Sequence, residues 1–211
     1  MKKIDKKPLI ITICLIVFQT ICYKASVLIS GQPTLIGGYI DERIPFNVYF
    51  IIPYVIWYLM LVLVPYYIYI HDKDNFIRYQ TSFVLSIIIS NIIYIIFPST
   101  IVRAEITTTG ILETITKIIY AIDTPVRNCC PSIHCAFSLS YILYSYTTKK
   151  SNKFINIIIT ILSLLIMAST MLIKQHVFID FISGCILSLI VFLIVLENDY
   201  LFNKFKKLFK M

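Results

Sequence analysis

Three stretches of this chain hold side chains whose types and spacing could do chemistry. The last of them, Ser169 to Asp180, sets His176 four residues before Asp180. On a helix that spacing puts the two on one face, where they can meet. A carboxylate there fixes the imidazole tautomer and supports positive charge on the ring. The middle stretch, Asp123 to His134, ends in Pro131-Ser132-Ile133-His134. Proline is tolerated in a first helical turn and serine caps one, so a helix opens here with His134 close to its start. The free N–H groups of such an opening face an anion. The first stretch, Phe97 to Glu105, contributes Arg103, while Lys174 and Arg127 add cations from the other two. Together these groups suit a phosphoryl group. One histidine attacks phosphorus and the other protonates the leaving oxygen.

Each feature alone has a plainer reading. A His-x-x-x-Asp pair is commonly a satisfied polar contact, a Pro-Ser is a cap, and a lone Arg or Lys at a membrane boundary is an anchor. A cluster of Cys, His and Asp can bind metal, but the spacing here matches no common ligand set. The chemical reading rests on convergence, in a chain that otherwise carries little charge.

Elements must position these groups, and composition says which kind. The 211 residues are 58% hydrophobic and only 14% charged, against about a quarter charged in soluble domains. Mean hydropathy is +0.84. The apolar residues come in blocks near the ~20 residues that a spanning helix needs. The expected fold is therefore all-α, a polytopic six-transmembrane-helix bundle forming one integral membrane domain over 1–211. Spans are expected at about 8–29, 48–70, 79–97, 132–146, 154–172 and 177–196. The first is read as a retained span, since it is longer than the apolar core of a signal peptide. The connector Ser30 to Asn47 carries Gly31, Pro33, Gly37, Gly38 and Pro45, which break helices.

Lys and Arg placement orients the bundle. Lysines crowd at both termini and in the connectors holding Lys73 and Lys149 to Lys153. Both termini are thus expected in the cytoplasm, the three chemical stretches outside it, and the chain in the cytoplasmic membrane. Basic residues at helix flanks, with no basic face interleaved with aromatics, argue against nucleic acid as a partner. In the long connector between spans three and four, Ile111, Ile115, Ile118, Ile119 and Ile122 recur at helical spacing, which predicts a short amphipathic interfacial helix. The six cysteines show no metal or disulfide framework. Cys129 and Cys130, beside the Pro-Ser-x-His stretch, predict thiol sensitivity.

Pro131-Ser132-Ile133-His134 and the Ser169 to Asp180 stretch, in this order after the third span, resemble the motifs of the type 2 phosphatidic acid phosphatase superfamily of membrane phosphoesterases. The resemblance covers about residues 41–194. It implies His176 as the nucleophile forming a phosphohistidine, Asp180 as its orienting group and His134 as the general acid. It further implies Arg103, Lys174, Arg127, Ser132 and Ser169 around the phosphate oxygens, with no metal or other cofactor. Some positions depart from the family pattern: Ile96 for Lys, Ala104 for Pro, Ile133 for Gly and Thr170 for Arg. With Lys174-Gln175-His176, and with the entry segment Ile40 to Phe46, the chain looks like the inositol phosphorylceramide synthase-like branch. The leading expectation is a membrane lipid phosphatase whose substrate is a lipid phosphate. The alternatives are a phosphotransferase that hands the group to a lipid alcohol, and a non-catalytic membrane scaffold or lipid-binding protein.

Overall fold

The structure, a computed structural model, describes residues 5–211; Met1 to Ile4 of the basic N-terminal stretch lie outside the described residues. Nine α-helices make up the described chain: α1 (Lys7–Ile29), α2 (Tyr39–Arg43), α3 (Ile51–His71), α4 (Lys73–Ile96), α5 (Ile111–Ile122), α6 (Ile133–Thr147), α7 (Lys153–Leu172), α8 (Phe178–Glu197) and α9 (Asp199–Leu208). A single 3₁₀ turn, Val48–Phe50, leads into α3. The isoleucine spacing between 111 and 122 is realised as α5.

Five helical segments are long and apolar enough to cross a bilayer: Lys7–Ile29, Val48–His71, Lys73–Ile96, Lys153–Leu172 and Phe178–Glu197. They present isoleucine and leucine outward, as at Ile13, Ile21, Leu59, Leu63, Ile157, Ile161, Ile190 and Leu193. Outward apolar side chains on helices that satisfy their own backbone are what a hydrocarbon solvent selects. The chain is an integral membrane protein.

The expected fourth span is α6, and it differs from the others for a physical reason. Its 15 residues reach only about 22 Å at 1.5 Å per residue, short of a ~30 Å hydrocarbon core. It packs against α3, α4, α7 and α8, and no residue from Ile133 to Ser145 is exposed. A helix shielded by neighbours need not be apolar, so Ser138, Ser140 and Ser145 are tolerated there. Aromatic packing surrounds it: Phe137 stacks on Phe83 at 4.2 Å, and Tyr144 meets Phe192 edge-on at 5.1 Å.

Three elements were not expected from the sequence. Thr34–Leu35 and Ser99–Thr100 pair as a two-residue parallel bridge, Thr34 opposite Ser99. This ties the connector after α1 to the one after α4. The basic tail is the helix α9, capped by Asn198 through the Leu201 N–H, with Phe202, Phe205 and Phe209 packed on the bundle. Arg78 of α4 anchors it, donating to the Val195 carbonyl at 2.8 Å and pairing with Asp199 at 3.0 Å. The glycine- and proline-rich connector also holds the short α2.

Candidate active site

The turn between α7 and α8 sets up His176. Past Leu172 the backbone N–H groups of Gln175 and His176 both donate to the Thr170 carbonyl, at 2.9 and 3.0 Å. Lys174 lies in the left-handed region at φ 53°. Asp180 then closes the first turn of α8. One of its oxygens, Oδ2, accepts from the Val177 N–H at 3.1 Å and from His176 Nδ1 at 3.1 Å. The carboxylate that caps the helix is thus the one that orients the imidazole. Because Nδ1 carries the proton shared with Asp180, Nε2 presents a lone pair. Asp180 is fully buried, and its other oxygen has no partner.

His134 comes from the opening of α6, which is pinned on several sides. The Ser132 N–H donates to the Asp180 carbonyl at 3.1 Å. Ser132 Oγ caps α6 at the Cys135 N–H, and the Tyr94 hydroxyl donates to the Pro131 carbonyl at 2.6 Å. Ser99 Oγ accepts from the N–H groups of Cys129 and Cys130. Gly184 lets α8 come this close, since a Cβ there would sit 2.4 Å from the Ser132 carbonyl oxygen. The imidazole of His134 lies between Trp57 and Tyr54 of α3, with ring centroids 4.1 and 4.7 Å away. Its centroid is 5.6 Å from that of His176, and its Nε2 is buried without a partner.

The two histidines line a partly open cavity of about 260 Å³ bounded by α1, α3, α4, α5, α6 and the connectors beside them. Among the residues expected around phosphate, Arg127 also lines it, donating from Nη1 to the Gly31 carbonyl at 3.0 Å. Arg103 sits beside it, its Nη2 bonded to Asp123 Oδ2 at 2.6 Å and to Gln175 Oε1 at 2.6 Å. Its Nε is buried and unpartnered. The Tyr120 ring packs 4.7 Å from this guanidinium, and the Tyr120 hydroxyl donates to the Ile173 carbonyl. Burial pushes the Tyr120 phenol up to about 12, so it remains a donor.

Lys174 points elsewhere. Its ammonium donates to the carbonyls of Asp41 and Ile44, on the α2 side of the turn. Thr170 and Ser169 are wholly buried and turn their hydroxyls onto the α7 backbone, at Met167 and Ile166. Ser132 acts at the helix opening. The structure thus gathers His134, His176, Asp180, Arg103 and Arg127, and it separates Lys174 and Ser169 from them.

Two groups were given no role in the site by the sequence. Gln175 holds its oxygen against Arg103, which can only donate, so its amide N–H groups face away and Nε2 is buried without a partner. Asp41 accepts from the Phe178 N–H at 2.7 Å and so holds the start of α8 from outside. Gln175 lies within a stretch already singled out for chemistry. Asp41 lies in the entry segment noted for the resemblance, but its part in holding α8 was hidden because that contact is 137 residues away along the chain.

The thiol expectation is revised. Burial raises the Cys129 thiol well above its usual range and pushes Cys130 upward too. Only the thiolate reacts, so a raised value suppresses reactivity at neutral pH and restores it as pH climbs. Peptide mapping after iodoacetamide treatment of the folded protein at neutral pH is expected to find both unmodified. Rapid labelling of Cys129 would contradict its burial; Cys130, only partly buried, is the less stringent test.

Apolar helices around a largely apolar cavity that carries two histidines define a membrane-embedded protein. A family model described as the PAP2 superfamily matches residues 32–194, and the chain belongs to that superfamily of phosphatase- and phosphotransferase-type enzymes. No curated protein and no solved structure matches it.

Proposed function

We propose that the protein is a lipid phosphatase working through a phosphohistidine on the extracytoplasmic face of the cytoplasmic membrane. The observation that carries this reading is the pairing of His176, backed by buried Asp180, with His134 across 5.6 Å on the wall of one apolar cavity. His176 Nε2 attacks phosphorus while the bond to the lipid oxygen breaks. Protonated His134 gives its proton to that oxygen, and the neutral lipid alcohol departs. Neutral His134 then takes a proton from water, which attacks the phosphohistidine and frees both inorganic phosphate and His176. The Gln175 amide, Arg127 and the free Nε of Arg103 are the donors suited to the phosphate oxygens. Lys174 serves by holding the turn.

The topology that goes with this reading has six crossings. Here α6 crosses inside the other five helices, and both termini lie in the cytoplasm. The α5 helix lies in the outer interface: Leu112, Ile115 and Ile119 pack toward the α3 end and Ile173, while Ile111, Ile118 and Ile122 are exposed.

A second reading, transfer to a lipid alcohol, is favoured by one feature. The cavity wall is mostly aromatic and aliphatic, a surface on which a lipid alcohol can replace water as the acceptor. Mixed micelles of lipid phosphate and lipid alcohol separate the two, since hydrolysis releases inorganic phosphate and transfer yields a new phospholipid.

A general acid matters in proportion to how poor the leaving group is. His134→Gln is expected to slow phosphate release from a lipid phosphate by about 10²- to 10³-fold. With a nitrophenyl phosphate, whose leaving group needs no proton, the loss should be under about tenfold. Equal losses on both substrates would remove His134 from the acid role.

A further inference from the structure

Beyond the two histidines, the same cavity has a second polar patch that the phosphoryl chemistry leaves unused. Asn128 lines it and is 3% exposed. Its Nδ2 donates to Ser26 Oγ at 2.9 Å, while Ser26 Oγ gives its own proton to the Tyr23 carbonyl at 2.8 Å. Ser26 must therefore accept from Asn128, which fixes which end of the amide is which. The remaining atom, Oδ1, is an acceptor buried without a partner. Gln19 of α1 lines the same cavity, and its Oε1 is also buried and unpartnered. Trp57 is 7% exposed, and its Nε1–H has no partner either. Beside them Ile16, Leu61, Phe83 and Phe137 carry no polar atom, and the Tyr23 hydroxyl is bonded to Asp123; Tyr54, Tyr58 and groups assigned to the phosphate also line the cavity.

Buried acceptors are costly to leave unpaired, and no donor among the described residues reaches either of these two. The volume, about 260 Å³, falls just below the usual 300–1,000 Å³ of small-molecule pockets. It accommodates the part of a lipid next to the phosphate and leaves the chains to the bilayer. We propose that Asn128 and Gln19 form a recognition subsite for a hydrogen-bond donor on the alcohol half of the substrate, with Trp57 donating to a neighbouring ester or ether oxygen. The substrate class is then a lipid phosphate carrying a hydroxyl or amide N–H beside the phosphoester, as on a glycerol or amino-alcohol backbone. Phosphates of plain isoprenoid or alkyl chains lack that donor and are disfavoured. This rests on the phosphatase reading for the phosphate half alone; the subsite itself concerns the neutral half.

The test uses that separation. Trp57 is the one tryptophan in the chain, so its fluorescence reports occupancy of the cavity with no turnover. The purified full chain in detergent is titrated with hexadecyl glycerol ether and with the analogue lacking only the central hydroxyl. The wild type is expected to bind the glycerol ether about tenfold more tightly. Asn128→Gly removes the acceptor and suits the left-handed backbone at φ 57°, and it should bring the ratio close to one. Gln19→Met, on α1 and away from that turn, should narrow the ratio by itself and keeps the test open if Asn128→Gly fails to fold. Equal binding of both ligands by the wild type, or an undiminished ratio in both variants, overturns the proposal. A clear preference in a protein that releases no phosphate from any lipid would support the subsite and sink the phosphatase reading alone.

Discussion

Replacing His176 with alanine is expected to cut phosphate release from lipid phosphates by about 10⁴-fold or more, with substrate affinity nearly unchanged. The size follows from the role: without Nε2 no covalent intermediate forms, and water would have to attack phosphorus directly. Affinity survives because the cavity walls and the surrounding donors do not depend on the imidazole. The measurement is phosphate release from a panel of lipid phosphates in detergent with chelator present, wild type against variant. Labelled substrate adds a second readout, since wild-type protein quenched in alkali should retain label that acid removes. Turnover by His176→Ala within tenfold of wild type would end the phosphohistidine mechanism. No release from the wild type would direct attention to transfer.

Asp180→Asn is expected to be nearly as damaging, about 10³- to 10⁴-fold in kcat, although it changes no volume. The carboxylate is fully buried and accepts from both Val177 N–H and His176 Nδ1. An asparagine can keep the helix cap through its oxygen. It cannot supply the negative charge that supports a positive imidazole, and its N–H group favours the tautomer in which Nε2 holds the proton. Since Asp180 acts through His176, the double variant should be no slower than His176→Ala. KM and the Trp57 emission should stay close to wild type, marking a folded protein with a disarmed nucleophile. A loss below about tenfold would leave Asp180 as a helix cap only.

Much of this was visible in the sequence because it rests on short-range regularities. Long apolar blocks place helices, and the four-residue spacing did bring His176 to Asp180, though across the cap of α8, with His176 ahead of the helix, and not along one helical face. A Pro-Ser pair opens α6 where it was expected. The isoleucine spacing of α5 held for the same reason. What escaped depends on contacts between distant segments. The bridge from Thr34–Leu35 to Ser99–Thr100 is only two residues long, too short for any alternating pattern. The direction of Lys174 depends on a left-handed backbone and on carbonyls more than a hundred residues away. Sequence proximity to His176 therefore overstated its part in the cation set. The helix α9 did leave a trace, since Phe202, Phe205 and Phe209 share one face. Its lysines drew the eye toward topology instead. The length of α6 was read correctly as short, yet only packing explains why a short polar helix is stable there.

The enclosure of α6 also bears on how freely this sequence can drift. On α1, α7 and α8 the outward residues meet only acyl chains, which ask for apolarity and almost nothing about shape. Isoleucine, leucine, valine and phenylalanine are close to interchangeable on such a surface. Every position of α6 from Ile133 to Ser145 instead meets protein, where a single added methylene is felt. Mutational tolerance should therefore be inverted relative to hydropathy across these four helices, with the serine-bearing α6 less forgiving than the greasier α1, α7 and α8. Substitutions far along α6 from His134 would still reach it, because a helix this tightly gripped shifts as a rod.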